Sequence, residues 1–330
     1  MVVPSKGSEA TFPTGTQFQL QRGETSATIT SVGATIRSFH FQNKRYLEET
    51  PVNKMVSKAR GQLLIPWPNR IRDGKYKFND TTHQLPISEV EFHNSIHGLT
   101  RWQEFELLAK TSTSVTLRHH LAPSPGWPFS LETTISYELQ QALLLVEVSL
   151  RNIGDSSAPV AFGAHPYFAI GETKVQDYSL FIPANQRWEV DQRKNPVELT
   201  SVTNPEPALD LDFRRPRRVG DTYLDYAFSD LIQCDESERR FVEVGGKIEQ
   251  FDTCFITDGS TKVGIFYDEN FNHIQAYFDP TSPSRTSIAL EPMTSPPNAF
   301  NININDHLIK PSETKKLHWG IFVETSAKTE

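Results

Sequence analysis

Leu131-Glu132-Thr133-Thr134-Ile135-Ser136-Tyr137-Glu138-Leu139-Gln140-Gln141-Ala142-Leu143-Leu144-Leu145-Val146-Glu147-Val148-Ser149-Leu150 is the stretch whose reading decides the fold. Leu131, Ile135, Tyr137 and Leu139 share one face with Thr133 between them, while Glu132 and Glu138 fall on the other. After Gln140-Gln141 the pattern resumes with Leu144, Val146, Val148 and Leu150, opposed by Glu147, Ser149 and Arg151. Alternation of this kind marks a half-buried strand, and two such runs about a short polar break predict a long antiparallel hairpin. Asn152-Ile153-Gly154-Asp155 then supplies turn chemistry.

Strand-like segments recur on both sides of the hairpin. They fall at Gln17 to Gln21, Ala27 to Phe41, Trp102 to Lys110, Val115 to Leu121 and Ala158 to Ala164, then at Val263 to Tyr267, His273 to Phe278, Ser287 to Leu290 and Leu317 to Glu324. No long amphipathic helix interrupts them, so a doubly wound sheet is not expected. No repeat of fixed period stands out, which argues against a propeller. The expectation is all-β: residues 1–330 as one large antiparallel β-sandwich with many strands in two sheets, few short helices, and a loosely ordered start over 1–15. The only candidate boundary is Pro196 to Arg218, read as a surface excursion, with Arg214-Arg215-Pro216-Arg217-Arg218 as a solvated turn.

Composition narrows the function. The 330 residues are 37% hydrophobic and 22% charged with a net charge of −7, which reads as globular. A negative balance argues against nucleic acid or an anionic membrane surface as the main partner. Two cysteines, Cys234 and Cys254, are too few for a disulfide scaffold and read as free buried thiols. No apolar stretch has the length of a signal peptide or a membrane span, so a cytoplasmic location is expected.

Several residues could carry chemistry. His165 closes the apolar run Val160-Ala161-Phe162-Gly163-Ala164 and precedes Pro166-Tyr167-Phe168. Pro166 cannot donate to a ladder, so pairing should stop there and leave the imidazole near an opening, beside rings that suit the apolar face of a sugar. Arg70 follows Pro66-Trp67-Pro68-Asn69; its guanidinium fork suits vicinal hydroxyls or a ring oxygen, and Trp67 and Asn69 are types often recruited by sugars. Glu291, after Ser287-Ile288-Ala289-Leu290 and before Pro292, reads as a partly desolvated carboxylate at a strand end, with a pKa raised towards general-base use. His97-Gly98 supplies another acid/base candidate. His93 and His97 are four apart, but Asn94-Ser95 and Gly98 read as a loop and the glutamate of the zinc-protease pattern is missing, so no metal is expected. His119 and His120 point to opposite faces of a strand, and neither is a compelling catalyst.

In this order the pieces resemble the aldose 1-epimerase (mutarotase) family of the galactose-mutarotase-like superfamily, from about Gly33 to Phe322. Leu64-Ile65-Pro66-Trp67-Pro68-Asn69-Arg70-Ile71-Arg72-Asp73-Gly74-Lys75-Tyr76, His97-Gly98-Leu99, His165-Pro166-Tyr167-Phe168 and Leu290-Glu291-Pro292 with Asn298-Ala299-Phe300-Asn301 carry the resemblance. It implies a supersandwich that interconverts the anomers of an aldohexose such as galactose or glucose, without metal or cofactor. Glu291 would be the base and His165 the acid, on opposite sides of the C1–O5 region. His97 would position the ring oxygen or share the proton, Arg70 would bind hydroxyls, and Asp225 most resembles the sugar-binding aspartate. Asn69, Tyr167 and Trp67 complete the expected sugar site. Asn298 stands where the family often has aspartate, which could alter support of Glu291. Between Gln186 and Asp212 no motif matches. The expected partner is a small-molecule sugar, and the expected assembly a monomer or homodimer.

Two cations, Arg60 and Arg101, would instead suit a hexose-phosphate or acidic-sugar epimerase. A non-catalytic carbohydrate-binding sandwich is a second alternative. A glycoside hydrolase using Glu291 and Asp225 is a third, which would need a carboxyl separation of ~5–9.5 Å.

Overall fold

The computed structural model describes residues 12–203, 210–278 and 285–326. Most of the expected loose N-terminus, residues 204–209 of the proline-rich excursion and residues 279–284 lie outside that set. Among the described residues the architecture is antiparallel strands throughout, with one α-helix of four residues, Ala299–Ile302.

The predicted hairpin is present as Leu131–Gln140 and Leu143–Asn152, registered Leu131↔Asn152 through Gln140↔Leu143. It sits inside a ten-stranded sheet, flanked by Ser114–Leu121 on one side and Thr314–Thr325 on the other. Thr261–Tyr267 and Lys247–Thr257 follow next to Thr314–Thr325. Leu143-Leu144-Leu145 breaks the alternation because both faces of the sheet are covered there. Leu144 and Val146 join the main core, while Leu143 and Leu145 pack with Val242, Phe251, Phe255 and Phe322 in a second cluster on the far side. Cys234 and Cys254 are buried free thiols.

An eight-stranded sheet carries the functional face. Its order is Pro196–Ser201, Ala184–Val190, Asp225–Leu231, His273–Tyr277, Ile288–Met293, Gly163–Ala164 and Leu63–Leu64, with Tyr167–Phe168 also on Ile288–Met293. A four-stranded N-terminal sheet, Gln17–Arg22 to Lys44–Arg45, packs on the hairpin region; there the buried Tyr137 hydroxyl donates to the Ala34 carbonyl.

Several boundaries differ from the expectation. Ala27 to Phe41 is two strands, Thr25–Thr30 and Ile36–Phe41, because the chain reverses through Gly33 and Ala34, both at positive φ. Glu291 lies within Ile288–Met293, not at a strand end. Pro292 is tolerated inside that strand opposite Ile274. In the excursion, Pro196–Ser201 is an edge strand of the eight-stranded sheet, and the arginines that follow are paired: Arg214 with Asp212, Arg217 with Asp210 and Arg218 with Asp177. No helix among the described residues is long and apolar enough to cross a membrane.

Candidate active site

Strand register places the catalytic candidates. Gly163 pairs with Met293 and Tyr167 with Ala289, so His165 falls opposite Glu291 across the same antiparallel gap. On its other side Glu291 pairs with Gln275, and one rung along Tyr277 pairs with Asp225. Side chains two residues apart on a strand share a face, so His165, Tyr167, Glu291, Gln275, Tyr277 and Asp225 all point to one side. They line a cavity of about 570 Å³. That lies within the roughly 300–1,000 Å³ usual for small-ligand sites.

The second wall is a pair of tight loops. Asn69 and His97 both adopt positive φ and hold each other: the His97 amide donates to the Asn69 carbonyl at 2.9 Å, and the Asn69 amide donates to His97 Nδ1 at 3.2 Å. Because Nδ1 accepts from a backbone N–H, the ring proton sits on Nε2, and His97 is a neutral donor. Burial first, then the charge of Arg101, holds its pKa well below the ordinary histidine value. Gly98 lets this loop close, since a Cβ there would lie 2.1 Å from the Ile65 carbonyl oxygen. Gly163 does the same for the neighbouring segment: its Cβ would lie 2.6 Å from Pro68 Cβ.

His165 Nε2 lies 3.3 Å from Glu291 Oε1, with the two side chains only 6% and 2% exposed. Burial pushes the Glu291 carboxyl well up, reinforced by the negative Asp225 and opposed by Arg70. Burial pulls His165 down to about 3, with the positive charge of Arg101 acting the same way. The favoured state of the pair is therefore a protonated carboxyl donating to a neutral imidazole, a single proton shared by two groups. Among the described residues Glu291 Oε2 has no hydrogen-bond partner. Tyr167 stacks on His165 with planes 5° apart and centroids 5.0 Å apart, and its hydroxyl donates to the Lys58 carbonyl. The acid and base candidates thus stand side by side on the wall of the cavity.

Arg70 is held in a two-pronged ion pair, Nε to Glu89 Oε2 and Nη2 to Glu89 Oε1, both 2.8 Å. A polar chain crosses the cavity wall: Asn69 Nδ2 donates to Gln275 Oε1 at 3.1 Å, and Gln275 Nε2 donates to Asp225 Oδ1 at 3.0 Å. Lys194 Nζ is 3.0 Å from Asp225 Oδ2 and 3.0 Å from the Tyr223 hydroxyl.

The structure therefore brings Glu291, His165, His97, Arg70, Asn69, Asp225 and Tyr167 to one cavity. Trp67 is the exception: it is fully buried, meets Phe300 edge-on at 5.8 Å and does not reach the cavity, so it is a core residue rather than a sugar platform. Asn298 supports the Arg70 strand instead of Glu291, its Oδ1 accepting from the Arg72 amide at 3.0 Å and its own amide donating to the Arg70 carbonyl at 2.7 Å. Of the two cations considered for an anionic substrate, Arg60 is paired with Glu48 and Ser57 off the cavity, while Arg101 lines it. His93 is on the surface beside Asp73, and His119 bonds the Glu104 carbonyl. Sequence reasoning passed over Gln275, Glu89 and Lys194. Gln275 did leave a signal, an amide in the middle of the apolar His273 to Phe278 run; Lys194 left none. No group of three or more His, Cys, Asp or Glu among the described residues is arranged to hold a metal ion.

A family model described as aldose 1-epimerase matches residues 16–321. The uncharacterized protein YihR of Escherichia coli K12 is 32% identical over 309 residues, 93% of each chain. Among solved structures, the GalM/aldose epimerase homologue of C. elegans superposes with a TM-score of 0.78 at 15% identity, covering 94% of this chain and 99% of that one. A galactose mutarotase-like protein of Clostridium acetobutylicum gives 0.76 at 20% identity over 93% and 95%. At these identities the structural likeness speaks to the fold.

Proposed function

The chain belongs to the aldose 1-epimerase family, and we propose that it interconverts the α and β anomers of an aldopyranose by acid–base opening and closing of the ring. The observation that carries this reading is the buried 3.3 Å contact of His165 Nε2 with Glu291 Oε1 on the wall of the shared cavity.

The two oxygens that must exchange protons are both bonded to C1, so neighbouring groups suffice. Glu291 as carboxylate removes the proton of the C1 hydroxyl. The C1–O5 bond breaks, its electron pair goes to O5, and O5 takes a proton from the His165 imidazolium while C1 becomes an aldehyde. After rotation about C1–C2, O5 attacks the other face of C1, returns its proton to His165, and the carbonyl oxygen takes the proton from Glu291. The pair carries one proton before and after. Its state during the open-chain stage, protonated Glu291 beside neutral His165, is the one that burial favours, so ring opening starts from the ion-paired form of the same pair, reached by moving the shared proton from Glu291 to His165.

Other residues bind and orient. His97 Nε2–H points a fixed donor at the ring-oxygen region. Arg70, held by Glu89, and Asp225, held by Gln275 and Lys194, suit hydroxyls as donor and acceptor respectively.

Polarimetry on a freshly dissolved α-anomer of galactose or glucose tests the reading. The protein should accelerate the approach to the equilibrium rotation over the blank, and Glu291→Gln should lose at least about 10²-fold of that acceleration. A folded Glu291→Gln protein that turns over normally would remove the assignment.

A further inference from the structure

Lys194 lines the cavity from a left-handed backbone conformation, φ +62°. Glycine adopts that region freely, whereas a long side chain occupies it at a cost, and such strain gathers at functional sites. The turn around it is tied down without help from the lysine side chain. Asp191 Oδ1 accepts from the Arg193 and Asn195 amides at 2.8 and 2.9 Å, Arg72 Nη2 meets Asp191 Oδ2 at 2.6 Å, and Arg193 Nη2 meets Asp73 Oδ1 at 2.7 Å. Glycine would suit this turn better. What lysine adds is an ammonium 3.0 Å from Asp225 Oδ2 and 3.0 Å from the Tyr223 hydroxyl. Burial opposes that charge, but Tyr223 and then Asp225 outweigh it and hold the Lys194 pKa above the ordinary lysine value.

The ammonium stands where two carboxylates share one cavity. Glu291 is faced by His165 and Tyr167 on one side, by Asp225 beyond Gln275 on the other, and by Arg70 from the loop wall. Asp225 is the anion that acts on it, and the guanidinium of Arg70 is already paired with Glu89. Lys194 itself faces Asp225, Tyr223 and Tyr226. We propose that Lys194 is a positioning residue for the reaction: it compensates the charge of Asp225, so that Glu291 can ionise as the base in the same cavity, and it keeps Asp225 oriented for a sugar hydroxyl. On the epimerase reading, which this role presupposes, Lys194 acts on Glu291 through Asp225. A like charge left uncompensated beside a carboxylate disfavours its ionisation.

The test follows kcat/KM for anomer exchange of glucose and galactose against pH, by NMR with blanks subtracted. In Lys194→Met and Lys194→Gly the alkaline limb should move up by about half a pH unit or more. Their kcat/KM should fall about 10–100-fold, the range of a charge-assisted hydrogen bond. Lys194→Arg, which keeps the charge, should leave the limb near its wild-type place. Asp225→Asn should move the limb down, and in that background Lys194→Met should no longer move it up. Thermal melts should place Lys194→Gly close to the wild type, since glycine accepts the positive φ. If either uncharged variant fails to fold, the other decides together with Lys194→Arg. A carboxyl ¹³C NMR titration of Glu291 reads the same shift without any sugar. A limb and a Glu291 titration that stay in place in a folded uncharged variant overturn the role of Lys194 and leave the epimerase reading intact. A lower melt and a lower rate with no movement of the limb do the same, as the mark of a purely structural lysine. No acceleration by the wild type on either sugar overturns both.

Discussion

Asn69 and Gln275, 206 residues apart in sequence, are joined by a 3.1 Å hydrogen bond from Asn69 Nδ2 to Gln275 Oε1. Gln275 is also the rung partner of Glu291 and passes its own amide proton to Asp225. One amide therefore fixes the loop that carries Arg70, the strand that carries the base candidate and the carboxylate that suits a sugar hydroxyl. Gln275→Leu leaves a buried donor and a buried acceptor unpaired and should cost about 1–3 kcal/mol of stability. It should also raise KM more than it lowers kcat. Denaturant melts and steady-state kinetics on the same preparation check this; unchanged KM would contradict the positioning role.

The shared proton fixes the pH dependence. Adding a second proton to the pair means protonating His165, whose pKa burial pulls down to about 3, and removing the last means ionising the raised Glu291 carboxyl. The acid limb of kcat/KM should therefore belong to His165 and the alkaline limb to Glu291, the reverse of what ordinary pKa values would give. Activity should not fall as the pH is lowered from about 7 towards 4. A fall centred near the ordinary histidine value would contradict the neutral pair.

Trp67 offers a check of a different kind, because its place next to Asn69-Arg70 suggests sugar binding while its burial makes it core. Trp67→Ala should destabilise the protein by about 3–5 kcal/mol, as large-to-small core changes do. Loss of sugar affinity without loss of stability would return it to the site.

His318 lies between Glu147 Oε1 at 3.4 Å and Asp268 Oδ2 at 3.5 Å, and its pKa is raised to about 9, first by Asp268 and then by Glu147. Since the folded value exceeds the unfolded one, this stabilisation is complete below the unfolded pKa of about 6.5 and disappears as the pH rises through about 9. His318→Gln should lower Tm at pH 6 and match the wild type near pH 10. A Tm difference constant across that range would sink the assignment.

The hairpin was legible because Leu131 to Leu139 and Val146 to Leu150 alternate in writing as they do in space; only Leu143 to Leu145 departs from the pattern, where a second cluster covers the far face. Glu291 was legible as a residue but misplaced at a strand end, since Pro292 reads as a stop when only the sequence is seen. The match of His165 to Glu291 was not legible: it depends on the register set by Gly163↔Met293 and Tyr167↔Ala289, which no local pattern encodes. Lys194 reaches Asp225 from a turn without any motif. Trp67 misled because an aromatic beside a binding loop looks the same in sequence whether its ring points inward or outward.

The central claim is that His165 and Glu291 act as one unit. Anomer-exchange rates for Glu291→Gln, His165→Gln and the double variant, measured together, test it directly. The double variant should be about as slow as either single variant, as expected when two groups move one proton between them. Losses that multiply in the double variant, or a single variant that keeps the wild-type rate, would contradict it.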